Sequence, residues 1–133
     1  MNNTDPLFLD RCIFNLDFLE EMLGSLGAQI IKAKSGEQSL SILKSAILQN
    51  DKEKIPKFIL MDCRMPKMDG WTASRLMKEM MMMKELGKEI PIIGVTGDDK
   101  QQSQERLKGS GMDEILQKPI QKEELQNLMN KYA

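Results

Sequence analysis

Four polar residues of this sequence could do chemistry, and each stands at or near the end of a short apolar run. They are Asp10, Asp62, Thr96 and Lys118. A carboxylate can accept a phosphoryl group, while an ammonium and a hydroxyl can neutralise and hydrogen-bond the phosphoryl oxygens. If folding brings these side chains together, they form a site that suits an anion such as a phosphoryl group.

Two kinds of pattern alternate along the chain and predict the elements that position these residues. Short apolar runs predict strands, and apolar residues that recur every three or four positions predict helices. The central runs are apolar throughout, as parallel strands buried on both faces require. The predicted strands cover residues 7–9, 29–31, 58–61, 90–95 and 115–116, and the predicted helices cover residues 14–26, 40–47, 71–86, 99–108 and 122–132.

This alternation of strands and helices predicts a doubly wound α/β fold built on a five-stranded parallel sheet with five helices. We expect a single domain over residues 1–133 and the strand order 2-1-3-4-5. In that order the first and fourth strands flank the third, so the polar residues at the strand ends converge around Asp62. Ligands of such sheets bind beyond the carboxyl ends of the strands.

Composition excludes several classes of function. Lys and Arg number 19 against 20 Asp and Glu, so the net charge of -1 excludes a basic module that binds nucleic acid directly. The absence of histidine excludes histidine-based metal sites and general bases. No apolar run approaches the roughly 20 residues of a membrane span, so no membrane contact is expected. The two cysteines make no disulfide framework, and a cytoplasmic location is expected.

Three segments of the chain together resemble the receiver domain of the response-regulator family. They read ILMDCRMPKMDG over residues 59–70, PIIGVT over residues 91–96 and GMDEILQKPI over residues 111–120. Each segment alone is a weak or moderate signal, but their order within five strand–helix units makes the resemblance specific. It covers essentially the whole chain and implies the flavodoxin-like receiver fold.

The resemblance implies a role for each polar residue at the predicted site. Asp62 would be the phosphoacceptor, taking a phosphoryl group from a histidine kinase or a histidine phosphotransfer domain. Thr96 would bind the phosphoryl oxygens, and Lys118 would pair first with Asp62 and then with the phosphoryl group. Pro119 would fix the loop of Lys118, through a cis peptide bond that proline makes accessible.

The resemblance also implies a Mg²⁺ site, and here the chain departs from the family. The implied ligands are Asp10, Asp62 and the backbone carbonyl of Arg64, together with an acid that is replaced by Arg11. Arginine has no acceptor atom and stays protonated, so it cannot ligate a cation that needs oxygen ligands and negative charge. We therefore predict weakened Mg²⁺ binding. Arg11 would either bridge Asp10 and Asp62 in place of the metal or turn to solvent.

Two further predictions concern how the site is controlled. The family often has an aromatic residue three positions before the lysine, whereas this chain has Ile115, so any output must travel through loop and helix shifts. The resemblance also implies that Arg64 and Asp98, two residues after Asp62 and Thr96, flank the site. They either pair across it, which would restrict attacking water and set the lifetime of the phosphoryl group, or remain separately solvated.

Two functional hypotheses follow. The first is a phosphoacceptor receiver of a two-component phosphorelay, a switch rather than an enzyme, which is free-standing or part of a membrane-anchored hybrid kinase and acts on a downstream protein partner. The second is a pseudo-receiver, a protein-interaction module with weak or no Mg²⁺-dependent phosphorylation. Asp62, Thr96 and Lys118 favour the first hypothesis, and Arg11 and Ile115 favour the second.

Overall fold

The computed structural model describes seven stretches of the chain, with gaps between them. For residues 11–14, 20 and 29–32 it describes the backbone alone. The described residues are 11–14, 20–27, 29–33, 35–49, 55–64, 67–83 and 90–132.

Strands and helices alternate along the described residues, as the sequence pattern predicts. All strand pairs are parallel, and the described strands form a five-stranded sheet in the order β2-β1-β3-β4-β5. The predicted fold class and strand order are therefore confirmed. The elements are β1 Arg11–Phe14, α1 Glu20–Ser25, β2 Gln29–Lys32, α2 Gly36–Leu48, β3 Phe58–Asp62, α3 Gly70–Met83, β4 Ile92–Thr96, α4 Lys100–Leu107, β5 Glu114–Gln117 and α5 Lys122–Lys131.

The first strand lies later in the chain than the prediction from the apolar runs. The predicted strand at residues 7–9 lies outside the described residues, and β1 instead begins at Arg11. Phe14, predicted to open the first helix, ends β1, and α1 begins only at Glu20. The segment around Ile13 and Phe14 carries β-branched and aromatic residues that suit a strand. Pairing with β2 on one side and β3 on the other satisfies its backbone groups.

Each face of the sheet supports its own apolar core, and β3 contributes to both. Ile59 and Met61 belong to the core beneath α2 and α3, while Phe58 and Leu60 belong to the core on the opposite face. All four side chains are fully buried, which explains why the strand is apolar at every position before Asp62. The opposite core is completed by Leu23 of α1 and by Leu125, Leu128 and Met129 of α5.

The end of α5 is tied to the start of β5 through one carboxylate. Glu114 accepts hydrogen bonds from the Lys131 ammonium at 2.8 Å and from the Tyr132 hydroxyl. Partial burial of Glu114 opposes ionisation, but these two hydrogen bonds outweigh it and lower the pKa of the carboxyl group. The contact therefore joins the last turn of α5 to the first residue of β5. Within the described residues, no helix combines the length and apolar character needed to cross a membrane.

Candidate functional site

The carboxyl edge of the sheet brings together Asp62, Thr96 and Lys118. Asp62 ends β3 and Thr96 ends the neighbouring strand β4. Lys118 directly follows β5, and its backbone N–H donates to the Thr96 carbonyl at 2.8 Å. Its ammonium nitrogen Nζ lies 3.6 Å from Oδ1 of Asp62. The predicted convergence of these three residues is therefore present.

The Asp62 carboxylate is held in place from two directions. Its Oδ1 accepts a hydrogen bond from the backbone N–H of Arg64 at 3.0 Å and faces the ammonium of Lys118. The side chain is 17% exposed, so an incoming group can reach it while the strand keeps it fixed. A half-buried carboxylate beside a cation is suited to accept a phosphoryl group and to share its charge.

Thr96 supplies a buried hydroxyl beside this carboxylate. The residue is 1% exposed, and its Oγ1 accepts a hydrogen bond from the backbone N–H of Asp98 at 3.0 Å. A hydroxyl can accept one hydrogen bond and donate another at the same time. The Thr96 hydroxyl can therefore donate a hydrogen bond to an anion bound at Asp62. The Lys118–Pro119 peptide bond, which shapes the neighbouring loop, is cis, as the resemblance implies.

Arg64 and Asp98 pair across the site. The Arg64 guanidinium donates to Oδ1 of Asp98, from the loop after β3 to the loop after β4. The Arg64 side chain is 78% exposed, so the pair lies at the surface, between the loops that follow Asp62 and Thr96. Of the two predicted arrangements, paired and separately solvated, the structure contains the paired one.

A close approach of backbone to backbone positions α3 directly behind Asp62. A Cβ atom on Gly70 would lie 2.1 Å from the carbonyl oxygen of Asp62, so only glycine fits there. The Gly70 N–H donates to the Cys63 carbonyl at 3.1 Å, and Asp69 caps the helix by accepting from the Thr72 N–H at 2.7 Å. The Asp-Gly pair thus starts α3 directly beside the backbone of Asp62.

The thiol of Cys63, next to the candidate acceptor Asp62, is a poor nucleophile. Cys63 is 1% exposed, and burial, reinforced by the carboxylates of Asp62 and Asp98, raises the pKa of its thiol to about 12. The thiol therefore stays protonated near neutral pH, and a thiol is a poor nucleophile in that form. Asp62 faces no competition from Cys63 for an incoming phosphoryl group.

The predicted metal ligands are only partly described. Asp10 lies outside the described residues, and so does the side chain of Arg11. Cys12 pairs with Phe58 at the start of β3, so the Arg11 backbone lies at the amino end of the sheet, whereas Asp62 lies at the carboxyl end. The structure therefore does not bring the Arg11 backbone beside Asp62, because β1 forms from residues 11–14 and not from the predicted run.

The described part of the site presents oxygen donors for a hard cation. The structure places the Asp62 carboxylate there, and the resemblance adds the backbone carbonyl of Arg64. No group of three or more acidic, cysteine or histidine side chains that could hold a metal ion occurs in the described stretches. Mg²⁺ prefers oxygen ligands and keeps several waters, so one or two carboxylates are enough to hold it. The donor chemistry fits Mg²⁺.

The sequence matches the response regulator receiver domain over residues 10–130. This chain belongs to the response regulator receiver family. The sensor histidine kinase RcsC of Salmonella typhi is 32% identical over 135 residues, covering 99% of this chain and 13% of the relative. The hybrid signal transduction protein dokA of Dictyostelium discoideum is 32% identical over 116 residues, covering 87% of this chain and 6% of the relative. The chain thus spans a small part of the length of these relatives.

Solved receiver domains share the architecture of this receiver. The receiver domain of the sensor histidine kinase PA1611 from Pseudomonas aeruginosa, solved with a magnesium ion in its active-site cleft, is 30% identical with a TM-score of 0.72, covering 93% of this chain and 97% of its own. The receiver domain of the histidine kinase CKI1 from Arabidopsis thaliana, complexed with Mg²⁺ and BeF₃⁻, is 26% identical with a TM-score of 0.74, covering 97% and 94%. The predicted receiver domain of a phosphorelay is confirmed, and the first functional hypothesis is the one supported.

Proposed function

We propose that Asp62 of this receiver accepts the phosphoryl group of a phosphorelay, from a phosphohistidine of a histidine kinase or a phosphotransfer domain. The observation that carries the proposal is the approach of Lys118 Nζ to within 3.6 Å of Asp62 Oδ1, with the Thr96 hydroxyl buried at the same edge. A carboxylate, an ammonium and a hydroxyl are together what a phosphoryl acceptor needs.

The transfer proceeds by attack of an Asp62 carboxylate oxygen on phosphorus. A new O–P bond forms as the P–N bond to the donor histidine breaks, and the departing imidazole retains the electron pair. The Lys118 ammonium and the Thr96 hydroxyl stabilise the negative charge on the phosphoryl oxygens during the transfer. The Thr96 hydroxyl then moves toward the phosphoryl group, and the loop after β4, which carries Asp98, moves with it.

Mg²⁺ belongs to this proposal, with a reduced affinity. Asp62 and the Arg64 carbonyl would hold the ion, and when bound it would neutralise charge on the phosphoryl oxygens. Arg11 in place of an acid removes one negative charge and adds a positive one near the start of the chain. The expectation of weak Mg²⁺ binding stays a prediction.

In this role the receiver is a switch and turns over no external substrate. The signal is the presence or absence of a phosphoryl group on Asp62. A downstream protein binds according to the resulting shift in loop and helix positions. The relatives include a sensor histidine kinase and a hybrid signal transduction protein, each much longer than this chain, which supports a setting in which this receiver is one part of a longer signalling protein.

The test of the function is an amide NMR titration with beryllofluoride, a phosphoryl mimic, with and without Mg²⁺. We expect shifts around Asp62, Thr96 and Lys118 that require Mg²⁺ and vanish in Asp62→Asn. The same shifts without Mg²⁺ would mean that the Asp62 edge binds the phosphoryl mimic without a metal. No shifts in a folded sample would contradict phosphoacceptance and leave the protein-interaction module.

Removing the Arg64 guanidinium should shorten the lifetime of the phosphoryl group. Arg64→Ala removes the pair with Asp98 that joins the two loops beside Asp62, so we expect water to reach phosphorus more easily. We expect hydrolysis to be roughly twofold to fivefold faster, because an exposed ion pair contributes about 1 kcal/mol or less. The measurement is the decay of phosphorylated protein after removal of acetyl phosphate.

The matched control is Arg75→Ala, which removes an exposed arginine from α3. Its decay rate should equal that of the unmodified receiver. Equal rates for all three proteins would show that the Arg64–Asp98 pair does not limit the access of water.

A further inference from the structure

Gln117 connects β5 to the loop after β4, a contact that no sequence pattern predicts. It is the last residue of β5, half-buried, and directly precedes Lys118. Its side-chain Nε2 donates to the backbone carbonyl of Asp98 at 2.9 Å. A side chain of one strand thus holds the backbone of the loop that carries one half of the Arg64–Asp98 pair.

Asp98 is held at three points, and Gln117 provides one of them. The Asp98 backbone N–H donates to Thr96 Oγ1 at 3.0 Å, and its carboxylate accepts from Arg64. The third contact is the one from Gln117 to its carbonyl oxygen. When Thr96 draws its hydroxyl toward a phosphoryl group, the Asp98 N–H is pulled with it, and the Gln117 contact at the Asp98 carbonyl then decides whether Asp98 keeps its pair with Arg64.

The surroundings of Gln117 show why the hydrogen bond to the loop comes from this residue and not from Ile115. A cavity of about 290 Å³ lies between α4, β5 and α5, and Ile115 and Gln117 line it. The hydroxyl of Ser103, also on its wall, is buried without a hydrogen-bond partner in the described part of the chain. Ile115 carries no polar atom that could bond to the loop, so the Gln117 amide makes the hydrogen bond from β5 to Asp98.

We propose that Gln117 is a positioning residue for the phosphoryl chemistry of Asp62: its amide holds Asp98 so that the Arg64–Asp98 pair stays closed over the phosphoryl group. This inference rests on the proposed phosphoacceptor function. The reaction it controls is hydrolysis, in which a water oxygen bonds to phosphorus as the bond from phosphorus to the Asp62 oxygen breaks. The carboxylate is regenerated, and inorganic phosphate leaves with the protons of the water, one of which passes to bulk solvent.

The decisive variant is Gln117→Met, which keeps the length of the side chain and removes the donor. We expect hydrolysis of the phosphorylated protein to be faster by about twofold to fivefold, up to the rate of Arg64→Ala and not beyond it, because both act through one exposed pair. In the Arg64→Ala background, Gln117→Met should change the rate no further, since the pair it positions is already gone. If Gln117 affected hydrolysis without acting through the Arg64–Asp98 pair, Gln117→Met would change the hydrolysis rate by the same factor with and without Arg64.

The matched control is Gln126→Met, the same chemical change on the exposed face of α5, which should leave hydrolysis unaltered. An unchanged rate in Gln117→Met, or an equal acceleration with and without Arg64, would overturn the proposal. A second readout needs no phosphorylation: the NMR signal of the Arg64 guanidinium in Gln117→Met should move toward its position in Asp98→Ala. If the unmodified protein takes up no phosphoryl group, the proposed function fails, while this second readout still decides whether Gln117 positions the pair.

Discussion

Asp62→Asn should abolish phosphorylation of this receiver by acetyl phosphate while leaving the fold intact. The amide has nearly the size and shape of the carboxylate, but it is not a nucleophile that can form an acyl phosphate. Its oxygen can still accept the hydrogen bond from the Arg64 N–H. The lost ion pair with Lys118 is partly exposed and contributes about 0–1 kcal/mol to stability. Intact-protein mass spectrometry after incubation with acetyl phosphate and Mg²⁺ measures the result directly.

Asp99→Asn is the matched control for this experiment. Asp99 lies near the same edge and caps α4 by accepting from the backbone N–H of Gln101 and Gln102. Asparagine is as good an N-cap as aspartate, so this variant should remain folded and should be phosphorylated like the unmodified protein. Retention of a phosphoryl adduct in Asp62→Asn, with Asp99→Asn also modified, would place the acceptor elsewhere.

Gly70→Ala should strongly destabilise the receiver, although it adds a single methyl group. The new Cβ would lie 2.1 Å from the Asp62 carbonyl oxygen and 2.9 Å from both the Asp62 carbonyl carbon and the Cys63 Cα. All three atoms are backbone, so no side-chain rotation relieves the clash, and the start of α3 must move away from β3. We expect a loss of about 3 kcal/mol in the free energy of unfolding, at the upper end for overpacking. Urea denaturation measures this loss of stability.

Gly24→Ala makes the same chemical change in a place with open space. Gly24 lies within α1, and a Cβ there would have no atom within 4 Å. Alanine in a helix favours folding over glycine by roughly 0.5–1 kcal/mol, so this variant should be as stable as the unmodified protein or slightly more so. Equal stability of the two alanine variants would show that α3 can shift without cost and that Gly70 is not required for the close approach.

The apolar runs and their spacing determine most of the architecture of this receiver. A strand buried on both faces must be apolar at every position, so the run before Asp62 identifies β3 and its end without knowledge of any partner. The same holds for the run before Thr96. Since parallel strands end at one edge, residues that follow these runs meet there, and the convergence of Asp62, Thr96 and Lys118 could be predicted from the sequence.

The position of the first strand could not be predicted from the local pattern, because it is decided by distant segments. Both residues 7–9 and the segment around Ile13 are compatible with a strand, and periodicity within either segment does not separate them. The described strand is the one whose backbone groups pair with β2 and with β3 at once. Such pairing joins segments that are far apart in the sequence, so it becomes visible only in the folded chain.

The sequence by itself determined the fold class, the strand order and the types of residue that meet at the carboxyl edge, because burial and strand ends leave a local signature. Only the tertiary structure decided which polar side chains bond to one another. Arg64 and Asp98 are 34 residues apart and Gln117 is 19 residues from Asp98, and nothing in the local pattern relates them. Hydrogen bonds between loops depend on distances and directions that arise once the sheet has brought the strand ends side by side. For that reason the acceptor was visible in the sequence, while the contacts that hold Arg64 and Asp98 across it were decided by the folded chain.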